Sequence, residues 1–211
     1  MSPPGASLPS HPRDGEGVRA RIVAAARAEF ATRGKDAASV HDVAARAGVT
    51  AAMINYYFGG KAALYAAAIE EAERALLGRL SAALPGGPRD TAAAVARRLA
   101  GAYFDFLVED RDLQRLLARE MLEPRPGAPE LTRFVEPLRA LLARHFGDGD
   151  EAAQRAISLF GAVSGYFLYE PLLGGVLGVP PLSPDALRRR RRHVLALATS
   201  LARGLDRRRP R

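Results

Sequence analysis

Alanine is the residue type that most constrains the fold of this chain. Of its 211 residues, 41 are alanine, whereas valine, isoleucine and threonine together number 21. Alanine has the highest intrinsic helix propensity, and the β-branched residues favour strands. The sequence therefore predicts an all-α protein. Its length is sufficient for a sizeable hydrophobic core in one or two domains.

Helical periodicity, capping residues and breaks at glycine or proline divide the chain into about nine predicted helices. Gly34, Gly48 and the pair Gly59–Gly60 end the first three, and proline-rich segments separate later ones. Residues 1–15 are rich in proline, glycine and serine, which predicts a disordered tail. The helices are predicted over about residues 16–33, 39–47, 50–57, 61–84, 90–108, 112–122, 129–146, 150–173 and 184–205.

The chain contains no cysteine, which excludes disulfide scaffolds, thiolate metal sites and cysteine nucleophiles. This composition fits a reducing compartment. No apolar run approaches the roughly 18 residues that a membrane-spanning helix needs. Residues 1–17 also lack the apolar core of a signal peptide. We therefore expect a cytoplasmic protein with no membrane partner.

Positive charge is concentrated near the C-terminal end. The formal net charge is +8, and residues 187–211 contribute 10 basic and 1 acidic side chains. Most of these lie in Arg188–Arg192 and Arg207–Arg209. A basic patch can bind nucleic acid or an anionic surface. Five consecutive arginines sweep around more than one helical turn, however, so a solvated helix end is the other interpretation.

Two short predicted helices joined by a turn at Gly48, after a longer helix, match a helix-turn-helix unit. The second covers the segment TAAMINYYF at residues 50–58, where Ile54 and Phe58 are spaced to form one apolar, anchoring face. Asparagine can bond adenine through two atoms, and alanine or methionine can contact a thymine methyl group. The residues left for the groove side are Ala51, Ala52, Asn55 and Tyr56, with Met53 as a further candidate for a methyl contact.

Other polar residues around this unit suit contacts to phosphate, which position a protein on DNA without specifying a sequence. They are Thr50, Tyr56, Tyr57 and Lys61. The helix N-termini near Ser39 and Lys61 add backbone amides that attract phosphate. Double-stranded DNA is therefore the predicted partner.

Residues 19–64 resemble the DNA-binding domain of TetR-family transcriptional regulators. The run AGVTAAMINYYFGGKAAL at residues 47–64 is similar to the family pattern A-G-V-S-x-x-x-[LI]-Y-x-[HY]-F-x-x-K-x-x-L. Ala52 stands where the family commonly has glycine, and Asn55 stands where it frequently has tyrosine. These two differences affect which bases the helix is expected to prefer. Upstream, the resemblance rests on Ile22, Ala25, Ala26, Phe30, Gly34, Ser39-Val40 and Val43-Ala44.

This resemblance implies a bacterial repressor that binds a palindromic operator and is released by a small apolar or aromatic ligand. It implies a DNA contact from His41, a helical C-terminal domain with a ligand cavity, and a homodimer built mainly from the last two helices. No cofactor is expected. The implied organisation is a tail at 1–15, a helix-turn-helix domain at 16–61, an effector-binding and dimerisation domain at 62–206, and a basic tail at 207–211.

Large and mostly apolar residues on separate predicted helices are candidates to line such a cavity. Aromatic residues at helical spacing are also typical of an ordinary core, which is the other interpretation of each. The candidates are Tyr103, Phe106, Leu107, Leu117, Met121, Phe134, Phe160 and Phe167.

Two other classes of function compete with a regulator. The four histidines have no paired metal-ligand spacing, and the sequence contains no GxSxG, Walker or GxGxxG motif, so we expect no enzyme. The alternative function is a nonspecific nucleic-acid or anionic-surface binder that depends on the C-terminal arginines.

Overall fold

A computed structural model describes residues 12–84, 90–122, 129–147 and 149–203, and every regular element in these ranges is an α-helix. The all-α prediction is confirmed. Of the disordered tail predicted at residues 1–15, residues 1–11 lie outside the described residues, whereas residues 12–15 form the first turn of α1, so this end of the prediction is wrong. The basic tail predicted at residues 207–211 lies wholly outside the described residues. The helices are α1 (Pro12–Ala37), α2 (Val40–Ala47), α3 (Ala51–Phe58), α4 (Lys61–Ala82), α5 (Ala92–Glu109), α6 (Arg111–Leu122), α7 (Pro129–Phe146), α8 (Asp150–Leu168), α9 (Glu170–Leu177) and α10 (Pro184–Ala202).

The helix predicted over residues 150–173 is divided in two, which gives ten described helices where about nine were expected. α8 ends at Leu168, and α9 begins at Glu170 with Pro171 in its first turn. Proline has no N–H to donate to the preceding turn, and its ring clashes with the carbonyl four residues earlier. The two helices therefore meet at a bend of 85°. Within the described residues no single helix is long and apolar enough to cross a membrane. The bent pair α8 and α9 meets these two criteria only when the helices are taken together.

The first of two compact units combines α1, α2, α3 and the start of α4 with α6. Its core is a cluster of buried residues from all of these helices, including Ile22, Phe30, Ile54, Leu64 and Leu116. α2 adds Val43 and Ala44 to the same cluster. Because Leu116 belongs to α6, this helix is an integral part of the unit that contains the helix-turn-helix.

The end of α1 is fixed by α6. Gly34 has φ 77° and ψ 170°, so the regular part of α1 ends just before it, as the sequence predicts. Arg119 of α6 donates from Nε to the carbonyl oxygen of Ala31 and from Nη2 to that of Thr32, both over 3.3 Å. Carbonyls at a helix end have no partner within the helix. Arg119 therefore caps the C-terminus of α1.

The second compact unit comprises Arg74–Arg111 and the described residues from Leu131 onward. α5 and α10 pack closely at Gly101, where a Cβ atom would lie 3.3 Å from the Leu195 side chain. Nearby, Arg191 of α10 donates two hydrogen bonds of 2.7 Å to the carboxylate of Asp105 on α5. These contacts join the last described helix to the centre of its unit.

Candidate nucleic-acid interface

The cap predicted at the start of α2 is present. Ser39 has an extended backbone, and its Oγ accepts a hydrogen bond of 3.1 Å from the backbone N–H of His41. The His41 side chain is exposed, whereas Val43 and Ala44 are buried against the core. Ser39 and His41 thus lie together at a helix N-terminus, where backbone amides favour an anion.

Gly48 forms the turn between the two short helices. It adopts a left-handed conformation with φ 67° and ψ 40°, which glycine enters without a steric penalty. The N–H of Val49 then bonds to the carbonyl of Ala44 over 3.0 Å. Thr50 caps α3, because its Oγ1 accepts a hydrogen bond of 3.3 Å from the N–H of Met53. These local bonds set the direction in which α3 leaves α2.

α3 has one buried and one exposed face. Ile54 is fully buried, as predicted for the anchoring residue, and Phe58 is half-buried against the same core. On the opposite side Ala52 and Asn55 are exposed, and Tyr56 has 70% of its surface accessible. The exposed face of α3, formed by Ala52, Asn55 and Tyr56, therefore presents a methyl group, an amide and a phenol.

Met53 is a correction to the predicted DNA contacts. Its side chain is only 8% exposed and lies on the buried side of α3, next to Ile54. Successive helical residues are about 100° apart, so position 53 falls opposite the exposed face. Ala51 and Tyr57 are half-buried and pack against the core cluster, so each presents only part of its surface.

Lys61 begins α4 directly after two glycines with positive φ, Gly59 and Gly60. Its Nζ donates a hydrogen bond of 2.7 Å to the carbonyl oxygen of Asp36. This bond holds the ammonium group beside the segment that joins α1 to α2. Because an ammonium has three donors, the group can bind a phosphate and keep this bond.

A buried carboxylate that sequence reasoning missed links α1 to α2. Glu29 is 7% exposed, and its carboxylate lies 3.3 Å from Arg33 Nε and 3.7 Å from Arg46 Nη2. Arg33 also bonds Asp42 of α2 over 2.8 Å. The available signal was an acidic residue on the apolar stripe of α1, three residues after Ala26, with an arginine four residues further on.

Six of the predicted ligand-binding residues lie in the second unit, and the side chains of five of them are described. Tyr103, Phe106, Leu107 and Phe167 are buried, and Phe160 is half-buried. The structure brings Tyr103 and Phe160 together as stacked rings, with centroids 5.1 Å apart and planes 13° apart. Burial raises the pKa of the Tyr103 hydroxyl, and a hydrogen bond with Ser164 opposes this in part.

The other three candidates for the cavity are Leu117, Met121 and Phe134. Leu117 is buried in the first unit, on α6. The side chains of Met121 and Phe134 lie outside the described residues. Phe167 contacts the ring of Phe104, with centroids 5.5 Å apart. The stacked pair on α5 and α8 is thus the part of the predicted set that the structure assembles.

Two arginines of the C-terminal cluster are engaged inside the second unit. Arg190 donates to the carbonyl oxygen of Ala162, and its guanidinium lies 5.1 Å from the ring centroid of Tyr166. Arg191 is held by Asp105, and this hydrogen bond raises the pKa of the guanidinium. These two side chains join α10 to α8 and α5.

The cluster Arg188–Arg192 is therefore not one solvated patch. A third member, Arg188, is exposed and forms an ion pair with Asp185 one turn earlier. The remaining two, Arg189 and Arg192, are exposed. The second basic group, Arg207–Arg209, lies outside the described residues.

Comparison with known proteins identifies the family. Residues 22–68, which run from α1 into α4, match the family model described as bacterial regulatory proteins, tetR family. The chain is 32% identical over 181 residues to the HTH-type transcriptional repressor Rv3405c of Mycobacterium tuberculosis and to the HTH-type transcriptional regulator Mb3439c of Mycobacterium bovis. Each alignment covers 84% of this chain and 86% of the relative. The chain belongs to the TetR family. The resemblance noted in the sequence is confirmed.

Solved structures share the fold of this TetR-family chain. FadR from Bacillus subtilis, determined in complex with stearoyl-CoA, has a TM-score of 0.69 at 17% identity and covers 86% of this chain and 97% of its own. A TetR-like transcriptional regulator from Rhodococcus sp. RHA1 has a TM-score of 0.64 at 22% identity, with 91% and 96% covered. As a TetR-family member, the chain is a transcriptional regulator with a DNA-binding helix-turn-helix, and its relatives are regulators rather than enzymes.

Proposed function

We propose that this TetR-family regulator is a repressor that binds a palindromic operator as a homodimer and is released by a small apolar or aromatic ligand. The observation that carries the proposal is the exposed face of α3. A helix with such a face fits a major groove about 12 Å wide, and Asn55 can bond N6 and N7 of one adenine. Ala52 and the exposed part of Ala51 are then the residues for thymine methyl groups.

Phosphate contacts fix this helix in the groove. Tyr56 and the accessible part of Tyr57 offer hydroxyl donors, and Lys61 offers its ammonium group. Ser39 and His41 occupy the N-terminus of α2, and Thr50 that of α3. Unpaired backbone amides at these two N-termini favour phosphate, so each short helix offers a site for a backbone phosphate of the duplex.

Repression and dimerisation are supported by different observations. The Mycobacterium tuberculosis relative is named a repressor. On α8, Ile157 is 62% exposed, and no atom lies within 4 Å of the position a Cβ would take on the exposed Gly161. This surface leaves room for a partner helix. A dimer through α8 and α10 would place two recognition helices on half-sites one helical turn apart, about 34 Å, or a multiple of it.

The ligand proposal is supported by the aromatic content of the second unit and by the Bacillus subtilis neighbour, which was solved with a ligand carrying a long apolar chain. We place the ligand against Tyr103 and Phe160, next to Phe106, Leu107 and Phe167. Leu117, Met121 and Phe134 remain candidates. By linkage, if the ligand lowers the affinity of the chain for DNA by some factor, DNA lowers the affinity of the chain for the ligand by the same factor.

Selection of duplexes from a random-sequence pool tests the proposal. We expect the wild-type chain to enrich a palindrome and to bind it more tightly than a shuffled duplex at physiological salt. The double variant Asn55→Ala with Tyr56→Ala should lose this preference. The control variant Arg189→Ala with Arg192→Ala removes exposed positive charge from α10. It should still prefer the palindrome over the shuffled duplex. The reverse result would favour nonspecific binding by the arginine cluster.

A further inference from the structure

The recognition helix and its turns contain no charge. Residues 48–60 read GVTAAMINYYFGG, and none of these side chains is acidic or basic. Most of the affinity of a protein for duplex DNA comes from lysine and arginine side chains that neutralise phosphates. The cations that hold α3 in a groove must therefore come from neighbouring elements.

Several nearby cations are already engaged. Arg33 and Arg46 share the carboxylate of Glu29, and Lys61 is bonded to the carbonyl of Asp36. An arginine in an ion pair has part of its charge neutralised by the carboxylate. To bind a phosphate it must break or rearrange that ion pair. A cation at α3 without a carboxylate partner is better suited to that contact.

Arg19 is such a cation. Its guanidinium carbon lies 5.1 Å from the ring centroid of Phe58, the last residue of α3. The side chain is exposed, and within the described residues it pairs with no carboxylate. The Tyr57 hydroxyl lies 3.5 Å from the position a Cβ would take on Gly15, one turn earlier in α1. The first turns of α1 thus run beside the end of the recognition helix.

We propose that Arg19 binds a backbone phosphate of the duplex that α3 reads. Stacking on Phe58 restrains the guanidinium, while its N–H edges stay free to donate to phosphate oxygens. Such charge-assisted hydrogen bonds are short and strong. The assignment rests on the proposed function, since it requires α3 to lie in a groove.

Salt dependence separates this phosphate contact from other roles. The probes are the palindrome enriched by the wild-type chain and its shuffled form, titrated from about 75 to 300 mM KCl. We expect Arg19→Ala to weaken binding to both duplexes by the same factor, about 3- to 10-fold near 0.1 M salt. The slope of log affinity against log salt should shrink by roughly 0.9 for each bound chain. Arg19→Lys keeps the charge and should restore the slope.

Arg115→Ala is the matched control, because Arg115 is exposed on α6 in the same unit. Its slope should equal that of the wild-type chain, and thermal unfolding of all variants checks that they fold. An Arg19→Ala slope equal to the wild-type slope, or an equal change in Arg115→Ala, would overturn the assignment while the proposed function stands. A wild-type chain that enriches no palindrome from the random-sequence pool would overturn both.

Discussion

Adjacent residues of α3 face opposite environments. Ile54 is fully buried in the core of the first unit, whereas Asn55 is exposed to solvent. The helical period imposes this division, because one step along the chain rotates the side chain by about 100°. Stability of the unit and recognition of a base therefore depend on different residues of one short helix.

Substitutions at these two positions should separate stability from recognition. Truncating a buried isoleucine removes its burial and leaves a cavity, so Ile54→Ala should lower the free energy of unfolding by about 2–4 kcal/mol. Asn55→Ala changes an exposed residue and should alter it by less than about 0.5 kcal/mol. Urea unfolding measures both. Equal losses in the two variants would contradict the burial of Ile54 and the exposure of Asn55.

Tyr103 also contributes to the response of the second unit to alkaline pH. Because burial raises the pKa of Tyr103 in the folded chain, folding favours the protonated phenol. The free energy of unfolding should fall as the pH rises above about 10, where an unfolded tyrosine loses its proton. Tyr103→Phe should be less stable near pH 7 by about 1 kcal/mol and should show a shallower fall above pH 10. Denaturant titrations near pH 7 and above pH 10 measure the free energy of unfolding of both chains. An equal fall between the two pH values in the wild-type chain and in Tyr103→Phe would contradict this prediction.

At the scale of elements, α6 stabilises α1 through one side chain. Arg119 supplies donors to two carbonyls at the end of α1, and its positive charge faces the negative end of that helix dipole. Arg119→Ala should therefore lower the free energy of unfolding by about 1–2 kcal/mol. The exposed Arg115 on the same helix is the control, and Arg115→Ala should have little effect. A loss that is the same in both variants would exclude a capping role for Arg119.

The helices with local signals were predictable from sequence. Ser39, Gly48 and Thr50 act within a few residues, so a cap or a turn can be inferred from the neighbouring chain. The break before α9 was missed because apolar residues continue through the position of Pro171. Met53 was assigned by the chemistry of its side chain, although the helical period already placed it beside Ile54.

Contacts between distant residues could not be predicted from periodicity. Arg119 lies 88 residues from Ala31, and no spacing within either helix indicates that they meet. The same holds for Arg191 and Asp105, which are 86 residues apart. As a result, the basic cluster on α10 looked like a solvated patch in the sequence, whereas the structure places two of its arginines in contacts between helices. Tertiary packing decides these partners, and only coordinates reveal them.

At the scale of the whole molecule, the units are assembled from interleaved parts of the chain. α4 begins in the first unit and continues into the second after Glu73, and the chain returns to the first unit at Asp112. Neither unit is therefore one continuous segment. The first crossing between the units, after Glu73, lies within α4.

The proposed dimer can be tested on the outer surface of α8. Ile157 is 62% exposed, so Ile157→Glu should leave the fold of the single chain intact. In a dimer through α8 the same carboxylate would be buried without a partner, at a cost of about 3 kcal/mol or more. We expect the dimer dissociation constant to rise at least about 100-fold in sedimentation analysis, since each 1.4 kcal/mol is a factor of ten. Operator affinity should fall as well, because a single chain binds one half-site.

Leu122→Glu is the matched control for this change. Leu122 is 61% exposed and lies on α6, which belongs to the first unit, whereas α8 belongs to the second. The same charge is thereby introduced at a residue of the same exposure, and the dimer should persist. If Ile157→Glu stays dimeric at the wild-type concentration, the pairing surface lies elsewhere. If the wild-type chain sediments as a monomer and still binds the palindrome tightly, the homodimer proposal fails, because the symmetry of the operator then has no counterpart in the protein.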